Sequence, residues 1–459
     1  MGLGVKFWAM LAGPALAVLV GTWMHLSGLD QSICLVAGVA LVCVVWWVFE
    51  PVPIPVTSLL PLALMPLMGV LKPIDVAHAY GSPLILLLMG GFILSKSMES
   101  SGAHRRIALR MVMLCGGDSD KRLVFGFMLA SAVLSMWISN TATTLMLLPV
   151  ALAVLEKVEG EALAIPLLLG IAYAASVGGM GTPIGTPPNL IFMQVYQENT
   201  GREISFTTWM SWAVPVVAVL IPLIMVWLTR NLKGSSGIDL PKVGKWRTEE
   251  RRVMMVFSLT ALAWITRSEP FGGWSGYLGL PYANDASVAM LAVVSLFVIP
   301  NGKGGKLLNW ETAATIPWGV LLLFAGGICL SKGFAASGLS QLLGEGLAGI
   351  SGLPTLMLMA VVCLAVTFMT ETTSNTASTS LLMPILVAMA LATGISPELV
   401  MVPAAMTASC AFMLPVATGP NTVVYSSGRF TTKRMAQEGV ILNLVGVAVV
   451  SLMCYWSLT

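Results

Sequence analysis

The sequence predicts an all-α polytopic membrane protein of about 11 transmembrane helices plus two re-entrant hairpins, arranged as two inverted repeats. Three observations carry this. Hydrophobic residues make up 57% of the 459-residue chain and charged residues only 10%. A soluble globular chain carries about 25% charged residues, so most of this surface faces lipid. Apolar stretches of spanning length follow one another from end to end, and three sequence blocks recur in the same order. The composition excludes a nucleic-acid binder, a disordered scaffold and a secreted disulfide module. The seven cysteines show no CxxC pairing, and His25, His78 and His104 are scattered. Neither a disulfide framework nor a metal cluster is indicated.

The elements follow in chain order. After Lys6 an apolar run starts at Phe7 and continues to about His25. It outlasts a signal-peptide core and is soon followed by another run, so 7–26 reads as a first span, and 1–31 as an N-terminal span unit. Further spans are 32–50, 55–71, 83–98, 165–197, 209–229, 253–267, 286–299, 316–331, 398–425 and 438–456, judged against the roughly 20 apolar residues a crossing helix needs. Two more apolar stretches, 123–156 and 356–392, hold polar clusters at their middles. They read as hairpins that enter and leave on one side. The segment 103–115 mixes arginine with apolar residues at helical spacing, as a helix lying in the inner interface would.

Orientation follows from the basic residues, which favour the cytoplasmic side. With the N-terminus inside, Lys6, the cluster from Lys96 to Arg122 and Lys157 fall inside. So do Arg230, Lys233, Lys242, Lys245, Arg247, Arg251 and Arg252, and then Lys303, Lys306, Arg429, Lys433 and Arg434. Of the 24 basic residues, only Lys72, Arg202, Arg267 and Lys332 fall outside. The expectation is an integral protein of a bacterial inner membrane, N-terminus cytoplasmic and C-terminus external. The net charge of +3 is then a topology signal and does not imply an acidic partner.

The repeat is explicit. GGFILSKSMESSG at 90–102 recurs as GGICLSKGFAASG at 326–338. SNTATTLMLLP at 139–149 recurs as SNTASTSLLMP at 374–384, and GTPPN at 185–189 as ATGPN at 417–421. The offsets are 236, 235 and 232 residues. They divide the chain into a first repeat at 32–230, a cytoplasmic linker at 231–252 and a second repeat at 253–459. Each unit holds an odd number of crossings and one hairpin, which turns the second copy upside down. Inverted repeats are the architecture of secondary transporters, whose substrate and ion sites lie near the bilayer midplane at the repeat interface.

Polar segments interrupt the apolar stretches at matching places. Ser135 and the run Ser139 to Thr144 lie in the first hairpin; Thr370 to Thr379 lie in the second. Hydroxyls and amides at membrane depth are costly unless hydrogen-bonded. Gluing helices together is one use for them, but their duplication points to helices broken for a purpose. The Gly- and Pro-rich segments Gly178 to Asn189 and Leu414 to Asn421 cannot continue a helix and supply a second break in each repeat. Broken ends expose carbonyls, which suit a small hard cation such as sodium. They also expose N–H groups at the positive end of a helix dipole, which suit a carboxylate. Across 131–149, 165–193, 364–384 and 404–425 there is no Lys, Arg or His, and Glu371 is the sole carboxylate. An organic cation would want carboxylates, and proton coupling a titratable relay. An anion held by dipoles, hydroxyls and co-bound sodium needs neither. Glu371 is then a thin relay or a structural cap on local N–H groups.

At these residues the sequence resembles the divalent anion/sodium symporter family, the dicarboxylate and citrate carriers. The resemblance covers almost the whole chain, with both Ser-Asn-Thr blocks and both Pro-Asn loops in order. It implies an elevator-type carrier working as a lipid-embedded homodimer, with transport-domain parts at about 123–198 and 356–425 and the remainder a scaffold. It implies one sodium site at Ser135, Ser139 and Asn140 with the backbone near Gly185, and another at Thr370, Thr373 and Asn375 with the backbone near Ala417. Substrate carboxylates would meet Asn140, Thr141, Asn375 and Thr376, with Thr186 and Gly419 at the loops. Gly419 stands where the family commonly has proline, which bears on the size of acid selected.

The resulting expectation is a sodium-coupled importer of C4-dicarboxylates such as succinate, malate or fumarate, with sodium ions co-transported. Carriage of citrate, sulfate or another anion, or exchange of one dicarboxylate for another, uses the same features. A membrane-embedded enzyme would need a nucleophile–base pair or a metal cluster, and neither stands near the polar segments. A channel would conduct passively.

Overall fold

Among the residues described, every regular element is a helix. The computed structural model describes residues 3–115, 119–157, 162–232, 234, 244–269, 271–347 and 352–459. Lys233 and Lys242 of the inner-face count, and most of the 231–252 linker, lie outside them.

The chain opens with α1 (Leu3–Leu26) packed on α2 (Gln31–Phe49). Then come α3 (Ile54–Thr57), α4 (Leu60–Leu67), α5 (Pro73–Tyr80), α6 (Pro83–Ser101) and α7 (Ala103–Cys115). The 55–71 run is thus two short helices, not one span: Pro55, Pro61 and Pro66 withhold backbone donors within it. The first hairpin is α8 (Asp120–Ser135) and α9 (Asn140–Leu155). The first broken span is α10 (Ala164–Gly179) and α11 (Pro187–Thr200), and α12 (Phe206–Thr229) closes the repeat. The second half runs through α13 (Thr248–Ile265), a small α14 (Gly273–Tyr277), α15 (Asp285–Val298), α16 (Trp310–Ala313), α17 (Trp318–Ser337) and α18 (Leu339–Leu347). It continues with hairpin arms α19 (Thr355–Thr370) and α20 (Asn375–Thr393), the broken pair α21 (Glu398–Thr407) and α22 (Gly419–Tyr425), and α23 (Thr432–Leu458).

Seven helical stretches among the described residues are long and apolar enough to cross a membrane, and six shorter apolar ones accompany them. The shorter set includes α9, α10, α19 and α21, so the polar and Gly-Pro breaks are what shorten them. The stretches 165–197 and 398–425 are each cut in two where their glycines and prolines predict it.

The matched blocks occupy matched places. Both Gly-Gly blocks lie in α6 and α17, and each helix ends on a left-handed glycine, Gly102 (φ 76°) and Gly338 (φ 84°). Glycine takes that cap at no steric cost, and α7 and α18 turn off after it. α7 buries Ala108 and Val112 and exposes Arg105 and Arg110, the amphipathic arrangement its sequence implies. Its counterpart α18 reads LSQLLGEGL and lacks the arginines that mark α7. The blocks also explain packing. A Cβ on Gly90 would press on Ala289 of α15, and one on Gly326 would press on Ser58, between α3 and α4. Each long helix therefore packs closely on early helices of the other repeat. The exchange continues deeper, where α22 packs on α9 and α11 packs on α20. Neither repeat buries its core alone.

Candidate substrate and ion site

The two Ser-Asn-Thr segments become hairpin tips because each stops one helix and starts another. α8 ends at Ser135 and α9 starts at Asn140; α19 ends at Thr370 and α20 starts at Asn375. Ser139 and Ser374 are the N-cap residues of α9 and α20, and neither side chain caps its own helix. The first-turn N–H groups of both helices, at the positive ends of their dipoles, therefore sit at Asn140–Thr141 and Asn375–Thr376.

Both tips face one cavity of about 1290 Å³. Ser139, Asn140 and Thr141 line it from one repeat, and Thr373, Asn375 and Thr376 from the other. Gly185, Thr186, Ala417 and Gly419 line it from the two Gly-Pro breaks. Ten of the twelve expected site residues thus share one space. Ser135 and Thr370 do not line it and are fully buried behind the tips. Ser135 Oγ donates to Asn140 Oδ1 at 2.6 Å, and Thr370 Oγ1 donates to the Thr367 carbonyl at 3.0 Å. Lys6, Glu50, Lys96, Glu99, His104 and Arg105 line the same cavity. None of the tip and loop residues that line it is Lys or Arg, so positive potential at the tips comes from helix ends.

The breaks are held open by side-chain amides. Asn189 Nδ2 donates to the carbonyls of Gly179 (3.0 Å) and Thr182 (2.7 Å). Asn421 Nδ2 does the same for Ala411 (2.9 Å) and Leu414 (3.0 Å). Both asparagines are fully buried, and each replaces helix hydrogen bonds that its loop has lost. Glycines then let the parts close up. A Cβ at Gly185 would collide with the Gly179 carbonyl, one at Gly179 with Asn140 Oδ1, and one at Gly419 with the Thr141 hydroxyl. The last contact joins a tip of one repeat to a loop of the other.

These arrangements suit small cations. Around the first tip, Ser135 Oγ, Asn140 Oδ1 and the loop at Gly179 and Gly185 bring hard oxygens together. At the second, Asn375 Oδ1 is buried without a hydrogen-bond partner, beside Thr373 and Ala417 in the cavity wall. A buried oxygen without a protein partner can accept a ligand or a water, and oxygen donors of this kind are what a hard cation takes.

Glu371 is a structural cap. Its Oε1 accepts from Met413 N (2.9 Å) and Asn443 Nδ2 (2.7 Å), and its Oε2 from Leu414 N (2.9 Å). Asn443 Oδ1 in turn accepts from Phe412 N at 3.0 Å, and Tyr173 OH donates to the Phe412 carbonyl at 2.7 Å. Asn443 and Tyr173 lie in apolar helices away from the motifs and carry no sequence signal of their own. The first repeat holds its break by different means, with Trp209 Nε1 donating to the Met180 carbonyl at 2.8 Å and Thr182 to the Met136 carbonyl.

The profile of the citrate transporter family matches residues 44–402. The sodium-dependent dicarboxylate transporter SdcS of Staphylococcus saprophyticus is 39% identical, over 97% of this chain and 90% of its own length. The protein of the same name from Staphylococcus aureus strain bovine RF122 is 37% identical with the same coverage. Among solved structures, the YdaH transporter of Alcanivorax borkumensis superposes with TM-score 0.61 at 17% identity, over 83% of this chain and 85% of its own. MtrF of Neisseria gonorrhoeae does so with TM-score 0.56 at 16% identity, over 83% and 82%. These two share the fold.

Proposed function

The chain belongs to the citrate transporter family, and from that premise we propose that it is a sodium-coupled secondary transporter that imports C4-dicarboxylates such as succinate, malate and fumarate. The observation that carries this reading is the convergence of two Ser-Asn-Thr tips, from opposite repeats, on one cavity, with no basic side chain among the tip and loop residues that line it. A dianion at membrane depth is costly unless its charge is met. Here it is met by the N-termini of α9 and α20, by hydroxyls, and by sodium ions at the oxygen clusters of each tip. Sodium binds first and orders the tips; the carboxylates then bridge Asn140–Thr141 and Asn375–Thr376, with Thr186 and Gly419 at the loops. The carrier works as a homodimer, with α8–α11 and α19–α22 moving against the remaining helices in an elevator cycle. Its N-terminus is cytoplasmic, and the cavity with its Lys6, Lys96 and Arg105 rim opens inward, as the basic-residue count favours.

The test is equilibrium binding of succinate in sodium or in choline. Binding should collapse in choline; affinity indifferent to sodium would refute the coupling. Citrate is the second reading, favoured by the name of the family profile. Competition of citrate, sulfate and C4 acids against radiolabelled succinate uptake separates it, and preloading vesicles with dicarboxylate separates symport from exchange.

A further inference from the structure

Lys96 in α6 and Lys332 in α17 occupy the same place in the matched blocks, yet they meet different surroundings. The end of α6 (Ser95, Lys96, Glu99) and the start of α17 (Pro317, Val320) line the same cavity, so the two helices run in opposite directions. Lys96 faces the open side and Lys332 the far side. On the open side Lys96 Nζ pairs within its own helix, 2.7 Å from Glu99 Oε2. There Phe92 and Ser95 of α6 and Pro420 and Thr422 of α22 line the cavity together. On the far side the equivalent seam is shut, with α11 packed on α17. Lys332 Nζ lies 3.4 Å from Glu198 Oε1 of α11, and Gln194 Nε2 donates to that same oxygen at 2.9 Å. One residue on, Asn199 Nδ2 donates to Ser331 Oγ at 3.4 Å.

We propose that Lys332–Glu198 is a one-sided ionic latch that holds the carrier open on the Lys96 face. The inference rests on the alternating-access reading above. Inverted repeats reach the opposite orientation by exchanging the roles of their halves, which would set Lys96 against α22 as Lys332 is now set against α11. The α22 segment has no acid to offer. Counting from the matched Asn189 and Asn421, the counterpart of Glu198 is Phe430, which is buried with its ring centroid 5.9 Å from that of Tyr425. No Asp or Glu occurs from Gly419 to Gln437. The helix differs too, since α22 stops at Tyr425 after 7 residues where α11 runs for 14. The exchanged state therefore closes its seam without an ion pair across it. With side chains 25% and 16% exposed, the pair tilts the two populations a few-fold and does not lock them.

Accessibility of the cavity tests this. Leu145 lines it and is 55% exposed. A Leu145→Cys variant in a Cys115→Ser background, the other six cysteines being buried, reports the open state by its labelling rate with an impermeant maleimide applied from the Lys96 face of reconstituted vesicles. Glu198→Gln and Lys332→Met should each slow labelling about two- to fivefold. The charge exchange Glu198→Lys with Lys332→Glu should restore the parent rate. Unchanged or faster labelling in both single variants, or a loss the exchange does not repair, overturns the latch. Sodium-driven succinate uptake is read in the same vesicles: if the unsubstituted protein takes up none, the transport reading fails, and the labelling result stands apart from it.

Discussion

Asn140 and Asn375 do two jobs at one position. Each begins a helix, so its first turn presents unbonded N–H groups, and each carries a side-chain amide oxygen at its tip. Asn140 Oδ1 is met by Ser135 Oγ at 2.6 Å, whereas Asn375 Oδ1 has no partner and is buried. Alanine at either position removes the oxygen and keeps the helix start, where alanine is tolerated. Asn140→Ala and Asn375→Ala should therefore each abolish sodium-driven uptake while leaving size-exclusion behaviour and thermal unfolding near those of the parent. Full uptake by either variant would remove that asparagine from the site. Glu371 shows the opposite case, a residue conspicuous for its charge whose oxygens are all spent on Met413, Leu414 and Asn443. A carboxylate accepting several N–H bonds is a strong structural cap.

At the scale of elements, what matters is where helices stop and what holds the ends. The turn between α6 and α7 is clasped to the start of α13. Arg247, the N-cap residue of α13, donates from its backbone N–H to Glu250 Oε2 at 2.7 Å and from Nε to Glu250 Oε1 at 3.0 Å, and its Nη2 also donates to the Ser101 carbonyl at 2.5 Å. Glu250 is buried, 2.8 Å from Arg106 Nε and 3.0 Å from Arg247 Nη2. Burial alone would raise its carboxyl, but the Arg247 amide and the Arg106 and Arg247 guanidiniums hold it below the ordinary carboxylate range. A depressed folded-state value gives stability that is complete above the unfolded value, about 4.3, and is lost as pH falls through the folded one. Thermal unfolding should thus lose midpoint temperature on acidification below about pH 4.3. Glu250→Gln should lower the midpoint at neutral pH, by about 1.5–3 kcal/mol of stability, and flatten that acid dependence. An acid limb as steep as the parent's would acquit Glu250.

At the scale of the whole molecule, the two repeats are interleaved. α6 lies on α15, α17 on α2–α5, α9 on α22 and α11 on α20. In the proposed elevator cycle the last two contacts keep both tips in one body, while α11 on α17 joins that body to the rest. A disulfide across each kind of contact should act differently if the body moves as a unit. Asn199→Cys with Ser331→Cys, replacing side chains 3.4 Å apart, should on oxidation stop uptake, and reduction should restore it. Undiminished uptake by the oxidised pair would mean that α11 and α17 never part.

The sequence by itself determined the membrane class, the repeat, the two hairpins and the two Gly-Pro breaks. Each of these is written in local chemistry: hydropathy, recurring blocks, residues that cannot continue a helix. Of the twelve site residues that the family resemblance implied, ten line the cavity, because the tips are short and their polar atoms have no other use in lipid. Tertiary structure decided what depends on who meets whom. That Gly419 makes room for Thr141, that Asn443 and Tyr173 steady the second break, and that Lys332 finds Glu198 are contacts between residues tens to hundreds of positions apart, whereas Lys96 finds only its own helix. Hydropathy and spacing report the solvent around a segment; they do not report its neighbours, and in an interleaved repeat the neighbours come from the other half.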